Sequence, residues 1–231
     1  MPDRADIEVL YIDSYNFDVE ALALPRLRSL SLWKPSGGLL KMLTPERLPS
    51  LRAFALLDYG RNPAGRLAQT GISKLLPQLD ILSLDIDVWK AMDTSLKQAA
   101  RFKTLVDCQY NTFGYALETR HVQNLRILGP YASMGRWTDA AYSRELNYCA
   151  DTLRAKPFTT LSRLVLDFFP STHESSHLNV DEAIGAIVSV CREKRIEVVR
   201  DTVPEDRKVD DPISQEMWRR QRERRRSEEL E

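Results

Sequence analysis

Apolar and polar residues alternate in three short segments of the chain, LRSLSL at 27–32, LRAFAL at 51–56 and LDILSL at 79–84. In each segment an anchor leucine is followed by apolar residues three and five positions later. Successive side chains of a β-strand point to opposite faces, so this alternation predicts a strand with one buried face. Each segment is preceded by Leu-Pro-x, so that its anchor leucine completes the same Leu-Pro-x-Leu opening, which marks the three as copies of one unit.

Weaker copies of this frame occur before and after the three clear ones. When the repeats are counted from the first clear copy, the frame pairs Leu125 with Leu128 in the fifth repeat. In the last repeat it pairs Ile196 with Val199. Successive anchors lie roughly 20 to 36 residues apart, mostly within the range of solenoid repeats. The anchors of the weaker copies are Ile7, Phe102, Leu125, Leu161 and Ile196.

Segments with helical character separate the predicted strands. The clearest are at 88–102 and 138–155, and Asn179 with Glu182 three residues later forms a capping box that predicts a further helix start. Shorter candidates lie at 38–43 and 72–76. Alternating strands and helices predict an α/β solenoid, with a curved parallel sheet of about eight strands and helices on the outer side.

The alternation also assigns a second set of side chains to the face opposite the core. Residues two apart on a strand share a face, so the leucine frame places this set on the concave surface of the sheet. Tyr11 and Trp33 stand beside small residues there, a combination that suits protruding side chains of a partner. An alternative is that Trp33 merely covers core. The predicted partner-binding residues are Tyr11, Asp13, Ser31, Trp33, Leu57, Ser83, Asp85, Arg163 and Asp167.

Composition narrows the class of protein. Thirty-three basic residues balance 33 acidic ones, so no global field favours nucleic acid or an anionic membrane. The three cysteines are far apart and form no CxxC pair, which argues against a disulfide framework and for a reducing compartment. No apolar run approaches the length of a membrane span. We therefore expect an intracellular protein, cytoplasmic or nuclear, that spans no membrane.

The character of the sequence changes after Asp201. Residues 1–201 carry the repeats, and residues 202–231 are predicted to form a polar linker and a basic tail, either an exposed helix or disordered. The run WRRQRERRR at 218–226 contains six arginines and one glutamate. This cluster supports an alternative function, in which the protein is nuclear or associated with nucleic acid through the tail alone.

One literal catalytic motif is present, HESSH at 173–177. On a helix this spacing places two histidines on one face for zinc, with the glutamate activating a bound water, so His173, Glu174 and His177 define a remote zinc-hydrolase alternative. The two serines inside the motif favour a turn over a helix interior. We expect a polar loop here, and the sequence predicts no enzymatic activity, no cofactor and no metal site.

The frame Leu27, Leu30 and Leu32, repeated at 51–56 and 79–84, resembles that of leucine-rich repeat proteins. The irregular repeat lengths resemble the array that follows the F-box in fungal F-box proteins, although no F-box is recognisable in the sequence. In that family the repeats recruit a substrate for a ubiquitin ligase. The resemblance implies a non-enzymatic protein-interaction module with a protein partner on the concave face. In a narrower form, it implies the substrate-recognition part of such a receptor.

Overall fold

The fold is described by a computed structural model, which covers the predicted strands and two of the longer helices. The predicted helix at 88–102 lies outside the described residues except for its last two, and Phe102 is not helical. The described residues are 6–13, 24–33, 35, 39–40, 43–57, 72–84, 101–107, 122–128, 139–155, 160–167, 177–201, 213 and 219.

Eight strands form one sheet, and their order in the sheet is their order along the chain. Every pair of neighbours is parallel. The predicted α/β arrangement with an open parallel sheet of eight strands is therefore confirmed. The strands are β1 Val9–Asp13, β2 Ser29–Trp33, β3 Ala53–Leu57, β4 Ile81–Leu84, β5 Thr104–Asp107, β6 Asn124–Leu128, β7 Arg163–Asp167 and β8 Glu197–Asp201.

The repeated Leu-Pro-x-Leu opening forms the same turn in all three clear copies. In the first, the amide of Leu27 donates to the carbonyl of Leu24 at 3.1 Å across exposed Pro25. Proline presets the backbone angle of the second turn position, and the turn directs both flanking leucines into the core. The equivalent bonds are 3.2 Å from Leu51 to Leu48 and 3.4 Å from Leu79 to Leu76.

A second recurrent feature joins each repeat to the next just before the strands begin. The carbonyl of Arg28 accepts hydrogen bonds from the amides of Arg52 and Ala53, both at 2.9 Å. This pair of hydrogen bonds recurs although the segments between the strands differ in length. The residues that precede the strands are therefore structurally equivalent from repeat to repeat. The carbonyls that accept two amides from the following repeat are those of Glu8, Arg28, Arg52, Asp80, Lys103 and Gln123.

The helices between the strands bury side chains against one face of the sheet, which we call the first face. Helix α1 (Ile72–Leu75) continues into a 3-10 turn at Leu76–Gln78, and the longer α2 (Asp139–Ala155) and α3 (His177–Glu193) pack against each other. The main core, between these helices and the first face, includes Leu30, Phe54, Leu82, Leu125 and Leu164 from the strands and Leu146, Cys149, Leu153, Ile184, Ile187 and Cys191 from the helices.

Helix α3 begins at His177, two residues before the predicted cap, so Asn179 lies inside its first turn. Helix α2 agrees with the prediction for 138–155 to within one residue. None of the helices that the structure describes combines the length and apolar character that crossing a membrane requires.

Two of the weaker repeats have a different frame from the predicted one. In the fifth, Leu125 pairs with Leu105 and Leu164, so buried Val122 occupies the anchor position and Leu125 is a strand residue. In the last, Val198 pairs with Leu164, so Val198 rather than Val199 packs on the main core. Leucine identity misplaced the fifth anchor, whereas the period-two alternation of Leu125 and Ile127 has the correct phase.

Replacing Leu27 with alanine tests the role of the anchor positions. Leu27 is fully buried between the turn and the main core, so we expect a loss of about 2 to 5 kcal/mol in the free energy of unfolding. The matched control is Arg28→Ala, because the neighbouring arginine side chain is exposed and its loss should change stability by no more than about 0.5 kcal/mol. Equal effects in urea denaturation would contradict the assigned frame.

Gly185 offers a substitution that should stabilise the fold. It lies inside α3, and a Cβ added to it would meet no atom within 4 Å. Alanine removes the entropic cost of glycine in a helix interior, so Gly185→Ala should raise the free energy of unfolding by about 0.5 to 1 kcal/mol. A decrease in thermal stability would show that this stretch is not an open helical surface.

Candidate functional site

The face of the sheet opposite the helices, the second face, has a floor of small side chains on β2 to β4. Ser29 pairs with Ala53, and Ser31 pairs with Ala55, which pairs with Ser83. We call these five residues the small-residue bed. None of them exposes more than 3% of its surface. Since side chains this short cannot cover each other across a sheet, the burial requires larger groups above them.

Ile213 supplies one of those larger groups. It is fully buried and forms a hydrophobic cluster with Ala53, Ala55 and Val106, against which Trp33 and Ile81 also pack. The backbone at Ile213 is helical. This cluster is separate from the main core, because the sheet itself lies between them. The second face therefore already holds an aliphatic side chain from outside the sheet.

The chain has enough length to bring Ile213 to this position. β3 and β8 are five strand spacings apart in the sheet, a distance of about 24 Å at the usual spacing between strands. The roughly 12 residues between Asp201 and Ile213 can extend to about 40 Å at most. The position of Ile213 is therefore within reach of a chain of this length that starts at Asp201.

The free energy associated with this contact is modest. Burying one isoleucine side chain stabilises by about 1.5 to 3 kcal/mol, whereas a folded domain is typically stable by about 5 to 15 kcal/mol. The described contacts of Ile213 are thus of a size that can be broken while the main core remains folded.

The second face changes character from β5 onward. The residues that pair across neighbouring strands at the start of the sheet's strands form a row, which continues from Ile81 through Thr104, Asn124, Arg163 and Glu197. The amide nitrogen Nδ2 of Asn124 donates to Oγ1 of Thr104 at 3.4 Å. Nε of Arg163 lies 3.7 Å from Oε2 of Glu197, an ion pair longer than a hydrogen bond. This half of the face is a row of polar pairs beside the apolar cluster.

Arg126 lies on the same half, between Val106 and Val165 in the register. It exposes only 7% of its surface. Arg126 is thus almost fully withdrawn from solvent, so the polar half of the second face is partly covered as well.

The predicted partner-binding residues fall into three groups. Tyr11, Trp33 and Arg163 are half-buried on the second face, at its edge, beside the apolar cluster and in the polar row respectively. Ser31 and Ser83 lie in the small-residue bed. The side chains of Asp13, Leu57 and Asp167, and the whole of Asp85, lie outside the described residues.

Two sequence-based expectations about solvent exposure differ from what the structure shows. Ser31 was expected on an open surface but is buried, as is Ser29 on the same strand, because the second face is covered where Ile213 packs. The expected exposure of the C-terminal tail likewise does not extend to Ile213, although Arg219 is exposed. Trp33 packs on the second-face cluster rather than on the main core.

The HESSH motif lies mostly outside the part of the chain that the structure describes. His173 and Glu174 lie outside the described residues, and His177 opens α3 with its side chain undescribed. Among described residues, no group of three or more histidine, cysteine or acidic side chains is placed to hold a metal. Cys149 and Cys191 are buried thiols, and burial raises the pKa of Cys191 to about 11, partly offset by Lys194.

Sequence reasoning missed Ile213, Val106 and Arg126 as parts of this face. Val106 and Arg126 belong to the weak fourth and fifth repeats, where alternation of the strand residues was the available signal. Ile213 is the first apolar residue after the polar linker. Nothing in its local pattern indicates that it packs on a sheet formed by residues far away in the chain.

Comparison with protein-family models, with curated proteins and with solved structures finds no match to the chain.

The thiol of Cys191 predicts a specific pH dependence of stability. Burial raises its pKa from 9.0 to about 11, so between these values the unfolded chain releases a proton that the folded chain keeps. The free energy of unfolding should therefore fall by about 1 to 3 kcal/mol as pH rises through this window.

Comparison with Cys191→Ala isolates this contribution from the other groups that titrate there. The advantage of the wild-type chain over the variant should be largest below about pH 9 and should shrink toward pH 11. A constant difference in urea denaturation at all these pH values would contradict the buried neutral thiol.

Proposed function

We propose that this protein is a non-enzymatic protein-interaction module of the leucine-rich-repeat type, which binds a partner protein on the second face of its sheet. The single observation that supports this most strongly is the seating of Ile213 on the small-residue bed. A face that accommodates an aliphatic side chain from a distant segment has the shape and chemistry to accept one from a partner.

The arrangement of the face supports the same proposal. An apolar cluster flanked by half-buried Trp33 lies beside a polar row containing Arg163 and Glu197. Protein interfaces typically combine an apolar centre having aromatic anchors with a polar rim. The repeated turns and the equivalent bonds between strand entrances support assignment to a repeat solenoid, whose extended sheet is a typical binding surface.

A narrower form of the proposal follows from the family resemblance alone. In that form the module is the substrate-recognition part of an F-box-like ubiquitin-ligase receptor. The tail-based alternative, nucleic-acid association through residues 218–226, is favoured only by the arginine cluster and by exposed Arg219.

Affinity capture with a second-face variant tests the proposed function. The full chain carrying Tyr11→Ala and Trp33→Ala should lose its specific protein partners, because both aromatic side chains flank the proposed site. The matched control is Arg154→Ala on α2, whose exposed side chain pairs only locally with Asp151 among the described residues. We expect at least a tenfold loss of captured partner for the double variant and none for the control.

The contradicting outcome is retention of every partner by the double variant while denaturation shows it folded. Loss of partners only on deletion of 213–231 with the loss prevented by added nucleic acid would instead favour the tail-based alternative. Recovery of a ubiquitin-ligase adaptor with the wild-type chain tests the narrower form, and its absence leaves the broader proposal standing on the second-face result.

A further inference from the structure

We infer that Ile213 is a built-in competitor for the second face, which occupies the small-residue bed until a partner segment with its own aliphatic anchor displaces it. This inference rests on the proposed function for the identity of the site and adds its regulation. The occupant is stated by the structure: Ile213 is fully buried on Ala53, Ala55 and Val106.

The separation of the two clusters makes displacement possible without unfolding. The cluster around Ile213 contains four buried residues, and the main core on the other side of the sheet contains none of them. Of those four, Ala53 and Ala55 are held by the parallel pairing of β3 with β2 and β4, to which Ile213 contributes no strand bond. Removing Ile213 therefore uncovers a surface rather than opening the main core.

The tether makes the cover effective although the contact is small. Ile213 is covalently joined to the sheet through the chain after Asp201, so it competes at an effective concentration on the order of millimolar, the value typical of short linkers. A free partner must compete with Ile213 for the face. Its apparent affinity is therefore lowered according to the fraction of protein molecules in which Ile213 covers the face. A partner binding more tightly, or a change in the segment that weakens the Ile213 contact, uncovers the face.

The geometry also defines the chemistry of the competing partner. The bed is made of alanine and serine side chains beside Trp33, Ile81 and Val106, and Ile213 enters it from a helical backbone. A fitting partner segment is therefore a short helix with one branched aliphatic residue directed at the bed. A charged residue at that position would be excluded, since nothing described in the cluster can solvate it.

Thiol labelling of the full chain measures the opening directly. In Ala55→Cys the new thiol lies under Ile213, while Cys149 and Cys191 lie in the main core and provide internal controls. Labelling rates at each cysteine are read by mass spectrometry and divided by the rates in the unfolded chain. We expect the thiol at position 55 to be at least about 100-fold less protected than the two core thiols.

A second substitution identifies the cover. Adding Ile213→Glu should remove most of the protection at position 55 and leave the protection of Cys149 and Cys191 unchanged. Equal protection at position 55, at Cys149 and at Cys191 in the Ala55→Cys chain would overturn the inference, because the face would then open only with the whole fold. Loss of protection at the core thiols in the double variant would likewise overturn it, since Ile213 would then belong to the global core.

A peptide of residues 202–231 gives an independent readout of competition. The Ile213→Glu chain should bind this peptide at least tenfold more tightly than the wild-type chain, whose face is occupied. Equal binding to both chains, or binding to neither, would contradict the inference. Protection at position 55 that increases with protein concentration would also contradict it, because the covering segment would then come from a second copy.

These outcomes are distinguishable from failure of the proposed function. The labelling and peptide experiments need no partner and report only on the segment and the bed. If they succeed while partner capture does not depend on Tyr11 and Trp33, the cover exists but the second face is not the partner site.

Discussion

The register between neighbouring repeats is the constraint on which the rest of the structure depends. A single carbonyl before each of the strands β1 to β6 accepts two amides from the next repeat, and this pair of bonds recurs from Glu8 to Gln123. A slip of one residue would exchange the two faces of a strand. The register therefore decides that Leu30 and Phe54 reach the main core while Ser31 and Ala55 reach the second face.

The two faces of the sheet carry side chains of different size. The first face carries large aliphatic side chains and Phe54 against the described helices, as a stabilising core requires. The second face carries serine and alanine on β2 to β4, which leave space above the sheet, and Ile213 occupies part of that space. A surface with room for one aliphatic side chain, on a sheet whose main core lies on the opposite face, has the physical properties of a site whose occupant can change.

Much of the fold follows from local pattern, and the site does not. Strict alternation after Leu27, Leu51 and Leu79 predicts the strands and their faces, because period and burial are linked within a few residues. The anchor of the fifth repeat was misplaced from Val122 to Leu125, since leucine identity was preferred to alternation. Coverage of the second face was not predictable, because Ile213 is far from the sheet residues in the chain and no periodicity links them.

Nuclear Overhauser contacts between methyl groups test the central claim, that Ile213 occupies the small-residue bed. In the full chain with isoleucine and alanine methyl groups labelled, the account predicts contacts from Ile213 to Ala53 and Ala55, with the Ile213 resonance shifted by neighbouring Trp33. Mixed labelling of two populations of the chain shows whether the contact is intramolecular. A random-coil Ile213 methyl resonance without contacts to either alanine would contradict the account.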